Sequence, residues 1–288
     1  MSSQKKKLSN DHETAQRADV LLAAAYPAYS RAALAKLFEY GDVTQAGKPL
    51  KPGEKLQPGE VFEANIEKLE RQAESIDLPV LYEDENVLVI DKPVGIISHA
   101  RGRYWDEASV ASFVRDKVSG MDGERAGIVH RLDRATSGVM ICAKNSETLS
   151  MLQKQFSTRK TKKSYYAVVD GVPEPQKALI DVPIGRNPNK PQTFRPDAQG
   201  KSATTYYEVE KHNETRALVK LSPTTGRTHQ LRIHLQYIKH PIVGDNLYGD
   251  SDADRLYLHA YSLEITLPGG ERKVFISPVP ATFDTLVR

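Results

Sequence analysis

The sequence predicts an α+β protein with a small N-terminal part and a larger C-terminal part. Two helical patterns and a few strand-like pieces fill the first 66 residues, and Pro and Gly separate them. From Pro79 onwards, short apolar or alternating runs typical of strands are interspersed with amphipathic helical patterns. A chain of 288 residues is long enough for one large domain and one small domain.

Composition divides the chain into four segments. Residues 1–13 are polar and lysine-bearing without periodicity, and we expect a disordered tail there. Helical and turn patterns over 14–66 predict a compact domain, and the charged segment 67–78 indicates a linker or a short connecting helix. The larger domain is predicted to span 79–288.

Two short helices are predicted within the N-terminal domain. Ala and Leu residues at helical spacing after Thr14 indicate the first helix, which Pro27 stops. Ser30 is suited to cap the second helix, and Gly41 is suited to end it. A short strand is expected around Val43, before turns rich in Pro and Gly.

The first half of the larger domain mixes strands and helices. Two strands over 80–82 and 87–90 flank a turn, and 107–118 has the apolar spacing of an amphipathic helix. The apolar run 139–143 predicts a buried strand. Ser146 is suited to cap the helix that follows this strand.

Strand patterns dominate the second half. Alternation over 165–169 predicts a strand, and two antiparallel strands are expected over 206–210 and 217–221. The segment 185–200 is rich in Pro, Asn and Gly and is expected to be a surface loop. A helix is predicted to open within 225–234.

Residues 130–138 carry the most distinctive chemistry of the chain. They read His-Arg-Leu-Asp-Arg-Ala-Thr-Ser-Gly and place one carboxylate, Asp133, among cationic side chains. Neighbouring arginines favour the ionised form of a carboxylate, which makes Asp133 a candidate nucleophile or base; an exposed loop salt bridge is the alternative. The protein-kinase catalytic loop, His-Arg-Asp, is excluded because Leu132 intervenes and no glycine-rich loop precedes it.

Composition also limits the cofactors. The single cysteine, Cys142, excludes an internal disulfide and a cysteine zinc cage. His229 and His234 lack the i, i+4 spacing of two metal ligands on one helical face. No phosphate-binding glycine loop occurs in the sequence, so we expect neither a metal nor a nucleotide cofactor.

Charge and hydropathy bear on partners and compartment. The net charge of +3 and the basic runs at 5–7 and 159–163 are weak indications of an anionic partner; solvated faces are the alternative. No apolar run reaches the ~18 residues of a membrane span, and the polar N-terminus lacks the apolar segment of a signal peptide. We therefore expect a cytoplasmic protein that does not bind membranes.

Five motifs of the larger domain resemble the RluA-type pseudouridine synthases. Residues 130–138 match the family's His-Arg-Leu-Asp-x-x-Thr-Ser-Gly at every defined position. Residues 163–169 match Lys-x-Tyr-x-Ala-x-Val, and residues 226–234 match Gly-Arg-Thr-His-Gln-Leu-Arg-x-His. The segment 91–95 has Asp where the family has Asn before Lys-Pro-x-Gly, and 244–249 also fits the family.

The resemblance implies a fold as well as an activity. The fold is a mixed, mostly antiparallel sheet with flanking helices. An S-four-like RNA-binding domain is implied for 14–66 by residues matching its pattern within 17–19, 27–31 and 41–43. The Val-Asn-Gly usual before the following turn is Gln-Ala-Gly at 45–47, which puts the RNA contact at this turn in doubt.

The resemblance implies that the chain converts uridine to pseudouridine within RNA. Large-subunit ribosomal RNA is the expected substrate, and transfer RNA is the alternative. Asp133 would attack the ribose, attack the uracil or remove a ribose proton. Arg227 would pair with Asp133 in bidentate fashion. Without the resemblance, Tyr165 would be interpreted as a core residue. The resemblance implies that Tyr165 stacks on the uracil and helps to move the proton from carbon 5.

Other motif residues are implied to bind the substrate. Arg131 would either fill the gap left by the flipped base or bind phosphate, and Leu231 would wall the pocket. Lys163 and the basic residues before it would meet phosphates. The sequence does not decide whether Lys92 and His99 support the turn or have a functional role.

A non-catalytic function is the alternative from another class. An RNA-binding assembly factor could keep the same fold without performing chemistry. The presence of Asp133, Tyr165 and Arg227 favours the enzyme. No protein partner is implied, and we expect a monomer.

Overall fold

The computed structural model of the chain describes residues 5–71, 73–100, 107–121, 125, 127–250 and 252–288. These residues form two compact units, one drawn from 1–74 and 100–107, the other from 75–99 and 108–288. Each unit has a hydrophobic core of its own. The border after residue 74 lies within the segment predicted as a linker.

The N-terminal unit is built from short strands and three helices. In chain order they are β1 (Lys6–Ser9), β2 (Gln16–Arg17), α1 (Ala18–Ala25), α2 (Arg31–Glu39), β3 (Val43–Gln45), β4 (Lys48–Pro49), β5 (Lys55–Leu56), β6 (Val61–Ala64) and α3 (Glu67–Glu70). Four of the strands form a sheet in the order β1-β6-β3-β4, and β2 pairs with β5.

The helix signals of this unit are largely confirmed. The Ser30 side chain caps α2 by accepting a hydrogen bond from the Ala33 N–H at 3.2 Å. Gly41 follows the helix with φ +71°, a left-handed conformation that glycine adopts without a steric cost. The first helix begins at Ala18, later than the predicted start at Thr14, because Gln16–Arg17 pairs as a strand instead.

The expectation of a disordered tail over 1–13 was wrong for part of that segment. Strand β1 (Lys6–Ser9) pairs antiparallel with β6 at the edge of the sheet. The Asn10 side chain is buried, and its Nδ2 donates to the carbonyl oxygens of Thr14 and Leu56. The side chains of this strand are mostly polar and exposed, so the sequence shows no apolar alternation there. The strand is held at the sheet edge by its backbone hydrogen bonds. Residues 1–4 lie outside the described ranges.

The larger unit contains most of the strands. They are β7 (Val80–Glu83), β8 (Val87–Lys92), β9 (Ser137–Ala143), β10 (Lys162–Asp170), β11 (Lys177–Asp181), β12 (Ile184–Arg186), β13 (Phe194–Pro196), β14 (Thr204–His212), β15 (Arg216–Pro223), β16 (Leu258–Thr266) and β17 (Arg272–Ile276). Its helices are α4 (Val110–Val114), α5 (Ser146–Ser157), α6 (Gln230–Tyr237) and α7 (Ala281–Thr285), and a 3-10 turn (Arg115–Lys117) continues α4.

One nine-stranded sheet organises this unit. Its order is β11-β14-β15-β10-β16-β9-β8-β7, and β17 pairs with β16 beside this path. Strand β9 runs parallel to β16, and the other pairs of the sheet are antiparallel. The predicted mixed, mostly antiparallel sheet of an α+β protein is therefore confirmed.

Two apolar cores lie on the sheet and meet at Tyr165. One is built on β8, β9, α4 and α5, and the other on β10, β15, α6 and α7. All seven residues of β9 are buried, which explains the continuous apolar run at 139–143. The Tyr165 side chain packs against both cores and so lies near the middle of the sheet.

Two local predictions in this unit need correction. Helix α5 is capped by Asn145 rather than Ser146; the Asn145 Oδ1 accepts from the Thr148 N–H at 2.9 Å. The segment 185–200 contributes to a hairpin of β12 and β13, in addition to a surface loop. Within the described ranges, no helix has both the length and the apolar content needed to cross a membrane.

Candidate active site

Asp133 lies on the loop that leads into β9. The Thr136 N–H donates to the Asp133 carbonyl at 3.0 Å, which closes a tight turn and directs the loop into the strand. Gly138 follows with φ +115°, where a Cβ would lie 2.2 Å from the Ala260 carbonyl oxygen. Only glycine therefore allows β16 to approach the end of this loop.

The loop after β8 clamps the Asp133 loop through backbone hydrogen bonds. Ser98 Oγ donates to the Leu132 carbonyl at 2.8 Å and accepts from the Leu132 N–H at 3.1 Å. The Gly95 N–H donates to the Arg134 carbonyl at 2.8 Å. The two residues that flank Asp133 are thus held on both sides, which fixes the position of the carboxylate.

Lys92 supports the same clamp from inside the protein. Its buried ammonium donates to the carbonyl oxygens of Pro93, Ile96 and, at 3.4 Å, Arg134. Burial lowers the pKa of Lys92 to about 7, although Asp133 raises it in part. The three carbonyl contacts of Lys92 favour a turn-supporting role for this side chain.

His130 also supports the loop rather than facing a reactant. Its Nε2 accepts a hydrogen bond from the Ile141 N–H at 3.1 Å, and its ring stacks on Phe156 with centroids 4.5 Å apart. Burial, helped by the charge of Lys163, lowers the pKa of His130 to about 3. The imidazole is therefore neutral and acts as a fixed acceptor for a β9 amide.

Arg232 and His229 are the cationic and imidazole groups that lie nearest to Asp133. Arg232 Nη1 lies 4.0 Å and His229 Nε2 lies 3.8 Å from Asp133 Oδ2. Both contacts are longer than hydrogen bonds but close enough for a strong electrostatic interaction in a partly buried site. The Asp133 side chain keeps 23% of its surface exposed, so a substrate can reach it.

Asp245 holds Arg232 in place. Arg232 Nε and Nη2 donate to the two Asp245 oxygens at 2.7 and 2.6 Å, a bidentate geometry that only arginine provides. Asp245 also accepts from the backbone N–H groups of Leu247 and Tyr248. Burial lowers the pKa of Arg232, but the hydrogen bonds that it donates to Asp245 and the charges of Asp245 and Asp133 raise it overall, so the guanidinium is charged.

The predicted pairing of Arg227 with Asp133 is therefore wrong. Among the described residues, no ion pair joins Arg227 to Asp133, and Arg227 Nε donates to the Ser202 carbonyl at 2.9 Å instead. The reason is that α6 begins only at Gln230, so Arg227 lies on the preceding loop. Arg232, in the first turn of the helix, takes the position beside the carboxylate.

Gln230 shapes the turn into α6. Its Oε1 accepts from the Thr225 hydroxyl and the Arg227 N–H, and its Nε2 donates to Thr204 O and Thr205 Oγ1. Each hydrogen bond is between 2.7 and 3.0 Å. A side-chain amide is the group that can supply both acceptor and donors here, so Gln230 fastens the start of the helix to β14.

The remaining predicted residues line one cavity of about 530 Å³ with Asp133. Tyr165 and the buried Leu231 form apolar parts of its wall, and Arg131 and Arg227 border it. Lys163 donates to the Thr225 carbonyl at 3.2 Å, and burial lowers its pKa to about 8. The structure thus brings all six predicted site residues to one cavity, although Arg227 has another partner.

Burial keeps the tyrosine at this cavity protonated. Desolvation, followed by the nearby charge of Asp133, raises the pKa of Tyr165. In the part of the chain that the structure describes, no group of three or more His, Cys, Asp or Glu side chains is arranged to hold a metal ion. The cavity therefore offers a carboxylate, several arginines, a lysine, imidazoles and a phenol as its ionisable groups.

Sequence reasoning missed Arg232, His229, Asp245 and Tyr248 as members of the site. A usable signal was present in the motif at 244–249, where Asp245 is an acidic residue without an assigned partner. A buried carboxylate needs a cation, and α6 presents one. That pairing would have directed attention from Arg227 to Arg232.

Comparisons with known proteins agree with this geometry. A model of the RNA pseudouridylate synthase family matches residues 86–237. An RNA pseudouridine synthase of Aquifex aeolicus, described as uncharacterized, is 39% identical over 243 residues, covering 81% of this chain and 77% of its own. A ribosomal large subunit pseudouridine synthase D of Pseudomonas aeruginosa is 34% identical, with 93% and 90% of the two chains covered.

Solved structures share the fold over about 70% of the chain. Human RNA pseudouridylate synthase domain containing 4 superposes with a TM-score of 0.58 at 28% identity, covering 72% of this chain and 90% of that one. Human RNA pseudouridylate synthase domain containing 1 gives a TM-score of 0.59 at 28% identity, covering 70% and 83%. The chain belongs to the RluA-type family of RNA pseudouridine synthases.

Proposed function

We propose that this chain isomerises uridine to pseudouridine in large-subunit ribosomal RNA with Asp133 as its catalytic carboxylate. The observation that carries this proposal is the position of Asp133 at the cavity, with Arg232 at 4.0 Å and His229 at 3.8 Å. Relatives from Pseudomonas aeruginosa and Borreliella burgdorferi, named for the ribosomal large subunit, support the RNA class.

The reaction is an isomerisation in which no atoms are gained or lost overall. The N-glycosidic bond breaks, the uracil turns, and a bond forms between the ribose and carbon 5, which then loses its proton. The target base is stacked in folded RNA and must flip out to reach Asp133. Arg131, exposed at the edge of the cavity, is positioned either to occupy the vacated place or to bind a phosphate.

Each group at the cavity suits one requirement of this reaction. Arg232 orients Asp133 from 4.0 Å, whether the carboxylate attacks the ribose, attacks the uracil or removes a ribose proton. Tyr165 and Leu231 provide an apolar surface for the uracil ring. Tyr165 keeps its hydroxyl proton. The phenol oxygen can therefore take the proton from carbon 5 only while the hydroxyl proton passes to another acceptor.

Asp133→Asn tests the catalytic assignment. The amide has the shape of the carboxylate but neither its charge nor its basicity, so tritium release from RNA labelled at carbon 5 of uracil is expected to stop while RNA affinity persists. Asp116→Asn, at an exposed position on the 3-10 turn, is the matched control. Wild-type tritium release by Asp133→Asn would contradict the assignment.

The RNA class is tested with the same assay. The wild-type chain is given either large-subunit ribosomal RNA or total transfer RNA, each tritiated at carbon 5 of uracil. We expect tritium release from the ribosomal RNA. Release from transfer RNA alone would contradict the proposed substrate and leave the proposed chemistry intact.

We further propose that the N-terminal unit is an S-four-like RNA-binding domain within 14–66, joined by the linker 67–78 to a catalytic domain over 79–288. Its separate core and its two helices packed on a small sheet support this division. Removing residues 1–66 should weaken RNA binding, because phosphate contacts supply much of RNA affinity. Unchanged binding and turnover by the shortened chain would contradict the RNA-binding role.

A further inference from the structure

His229 has an unusual backbone conformation directly beside Asp133. It precedes α6 with φ +56° and ψ +18°, a left-handed conformation that costs a residue with a Cβ roughly 1–2 kcal/mol. This conformation places the imidazole between two partners. Nε2 lies 3.8 Å from Asp133 Oδ2, and Nδ1 lies 2.8 Å from the Tyr248 hydroxyl.

The surroundings of Tyr248 select one tautomer of His229. The Phe194 backbone N–H donates to the Tyr248 oxygen at 3.0 Å, so this oxygen is already an acceptor. Among the hydrogen bonds of the described residues, His229 Nδ1 is the other partner of this hydroxyl, so the Tyr248 proton has an acceptor only when it points to an Nδ1 that carries no proton. In a neutral imidazole the remaining proton is on Nε2, the atom that faces Asp133.

The ring is held in this orientation by its neighbours. Phe194 contacts the His229 ring edge-on at 6.1 Å, and Tyr248 does so at 5.5 Å. The guanidinium of Arg232 lies over the Tyr248 ring at 5.1 Å, so the same tyrosine packs against both groups that face Asp133. Burial lowers the pKa of His229 although Asp133 opposes this effect, so the neutral ring prevails.

We propose that His229 is a positioning residue that directs an Nε2–H group at Asp133, and that Tyr248 fixes the tautomer required for this. The proposal rests on the proposed role of Asp133. The distance of 3.8 Å in the free protein shortens to a hydrogen bond when substrate fills the cavity, as catalytic contacts commonly do. Hairpin β12–β13 takes part through the Phe194 amide.

Two substitutions at position 229 separate the backbone from the hydrogen bond. Asn adopts the left-handed conformation readily and presents an amide near the position of Nδ1, but it does not reach Asp133. Gln carries an amide N–H to the position of Nε2 and has no tautomers. His212→Asn, at an exposed position at the end of β14, is the matched control.

Single-turnover tritium release from labelled large-subunit ribosomal RNA is measured together with RNA binding. His229→Asn should react roughly 10–100-fold more slowly with unchanged affinity, because a misplaced catalytic group costs rate rather than binding. His229→Gln should react clearly faster than His229→Asn. Equal rates for the two variants, or a wild-type rate for His229→Asn, would overturn the proposal.

A double-mutant cycle tests the part played by Tyr248. Tyr248→Phe should slow the His229 enzyme, and it should cause no further loss in the His229→Gln background, where no tautomer has to be fixed. A purely structural tyrosine would lower the rate by the same factor in both backgrounds. That second result would overturn the role of Tyr248.

A spectroscopic measurement gives an answer that is independent of turnover. Two-bond proton–nitrogen NMR correlations of the ¹⁵N-histidine-labelled full chain report which ring nitrogen carries the proton. We expect His229 as the Nε2–H tautomer, and a shift towards a mixture in Tyr248→Phe. Finding the Nδ1–H tautomer in the wild-type chain would refute the proposal even if the RNA were not a substrate.

Discussion

Replacing Asp245 by Asn should show separately how much the Arg232–Asp245 pair contributes to stability and how much it contributes to activity. Asp245 is completely buried and accepts four hydrogen bonds, two from the guanidinium and two from backbone N–H groups. In Asp245→Asn, one amide oxygen can keep the backbone bonds. The amide nitrogen then faces Arg232 Nε, donor against donor, and the buried Arg232 loses its hydrogen-bonded counter-ion and keeps only Asp133 at 4.0 Å.

Breaking a buried pair from one side costs about 3–5 kcal/mol of unfolding free energy. Urea unfolding at neutral pH should show this loss directly, and Asp254→Asn, at an exposed position, is the control. In the double variant Arg232→Met/Asp245→Asn, most of the stability should return because no unpaired charge stays buried.

Activity should respond differently from stability. Asp245→Asn is expected to release tritium roughly 100-fold more slowly, because Arg232 no longer holds its position beside Asp133. The double variant should regain stability and stay inactive, since it lacks the guanidinium. A wild-type urea midpoint for Asp245→Asn, or an active double variant, would refute the reasoning from the pair.

Three further outcomes are expected. Arg232→Lys should lose much more activity in the tritium assay than Arg227→Lys, because lysine cannot reproduce the fork on Asp245; the opposite order would restore Arg227 as the partner of Asp133. Tyr165→Phe should bind RNA and cleave the glycosidic bond but fail to release tritium, and normal release would leave Tyr165 as a stacking surface worth roughly 1–3 kcal/mol. Finally, the pKa of His130 is about 3 in the folded chain, against an ordinary value of 6.5, so the folded state opposes protonation of this imidazole. The unfolded chain therefore binds the extra proton below pH 6.5, and between pH 7 and pH 4 the unfolding free energy should fall by about 3 kcal/mol on this account. His130→Gln, which keeps an acceptor without titrating, should show a shallower fall in urea unfolding; identical slopes would contradict the burial argument.

The sequence predicted the elements in which local pattern and burial agree. Residues 139–143 of β9 read as a strand because both faces are covered, and Ser30 read as a cap because its hydroxyl can accept a helix N–H. Asp133 was found through its motif, and the cavity contains it together with the other predicted site residues.

Long-range pairings were not predictable in the same way. Strand β1 and the hairpin β12–β13 are held by backbone hydrogen bonds, which leave no periodic trace in polar sequences. The choice between Arg227 and Arg232 depended on where α6 begins, and an error of a few residues in a helix start changes which side chain faces the site. The place of Asp245 in the site could be recognised only after the structure had shown that Arg232 is its partner.

Strand β16 has a consequence for the order in which the protein can assemble. It lies between β10 and β9 and joins the half-sheet β7-β8-β9 to the half-sheet β11-β14-β15-β10. The first half holds Asp133, whereas Arg232 and His229 follow β15 of the second half. Ser137 and His259, which hydrogen-bond across the junction, are 122 residues apart in the chain.

During synthesis on the ribosome, Ser137 and Gly138 at the start of β9 therefore emerge long before their partners His259 and Ala260 in β16. Until β16 is made, the edge of β10 that pairs with it over Lys162 to Ala167 presents open backbone groups, a state prone to pairing with other chains. The two half-sites also stay separate during this interval, because nothing yet joins the carboxylate to its arginine. A nascent chain thus completes its active site and covers the open edge of β10 in the same late step, which makes β10 the strand that needs chaperone protection during translation.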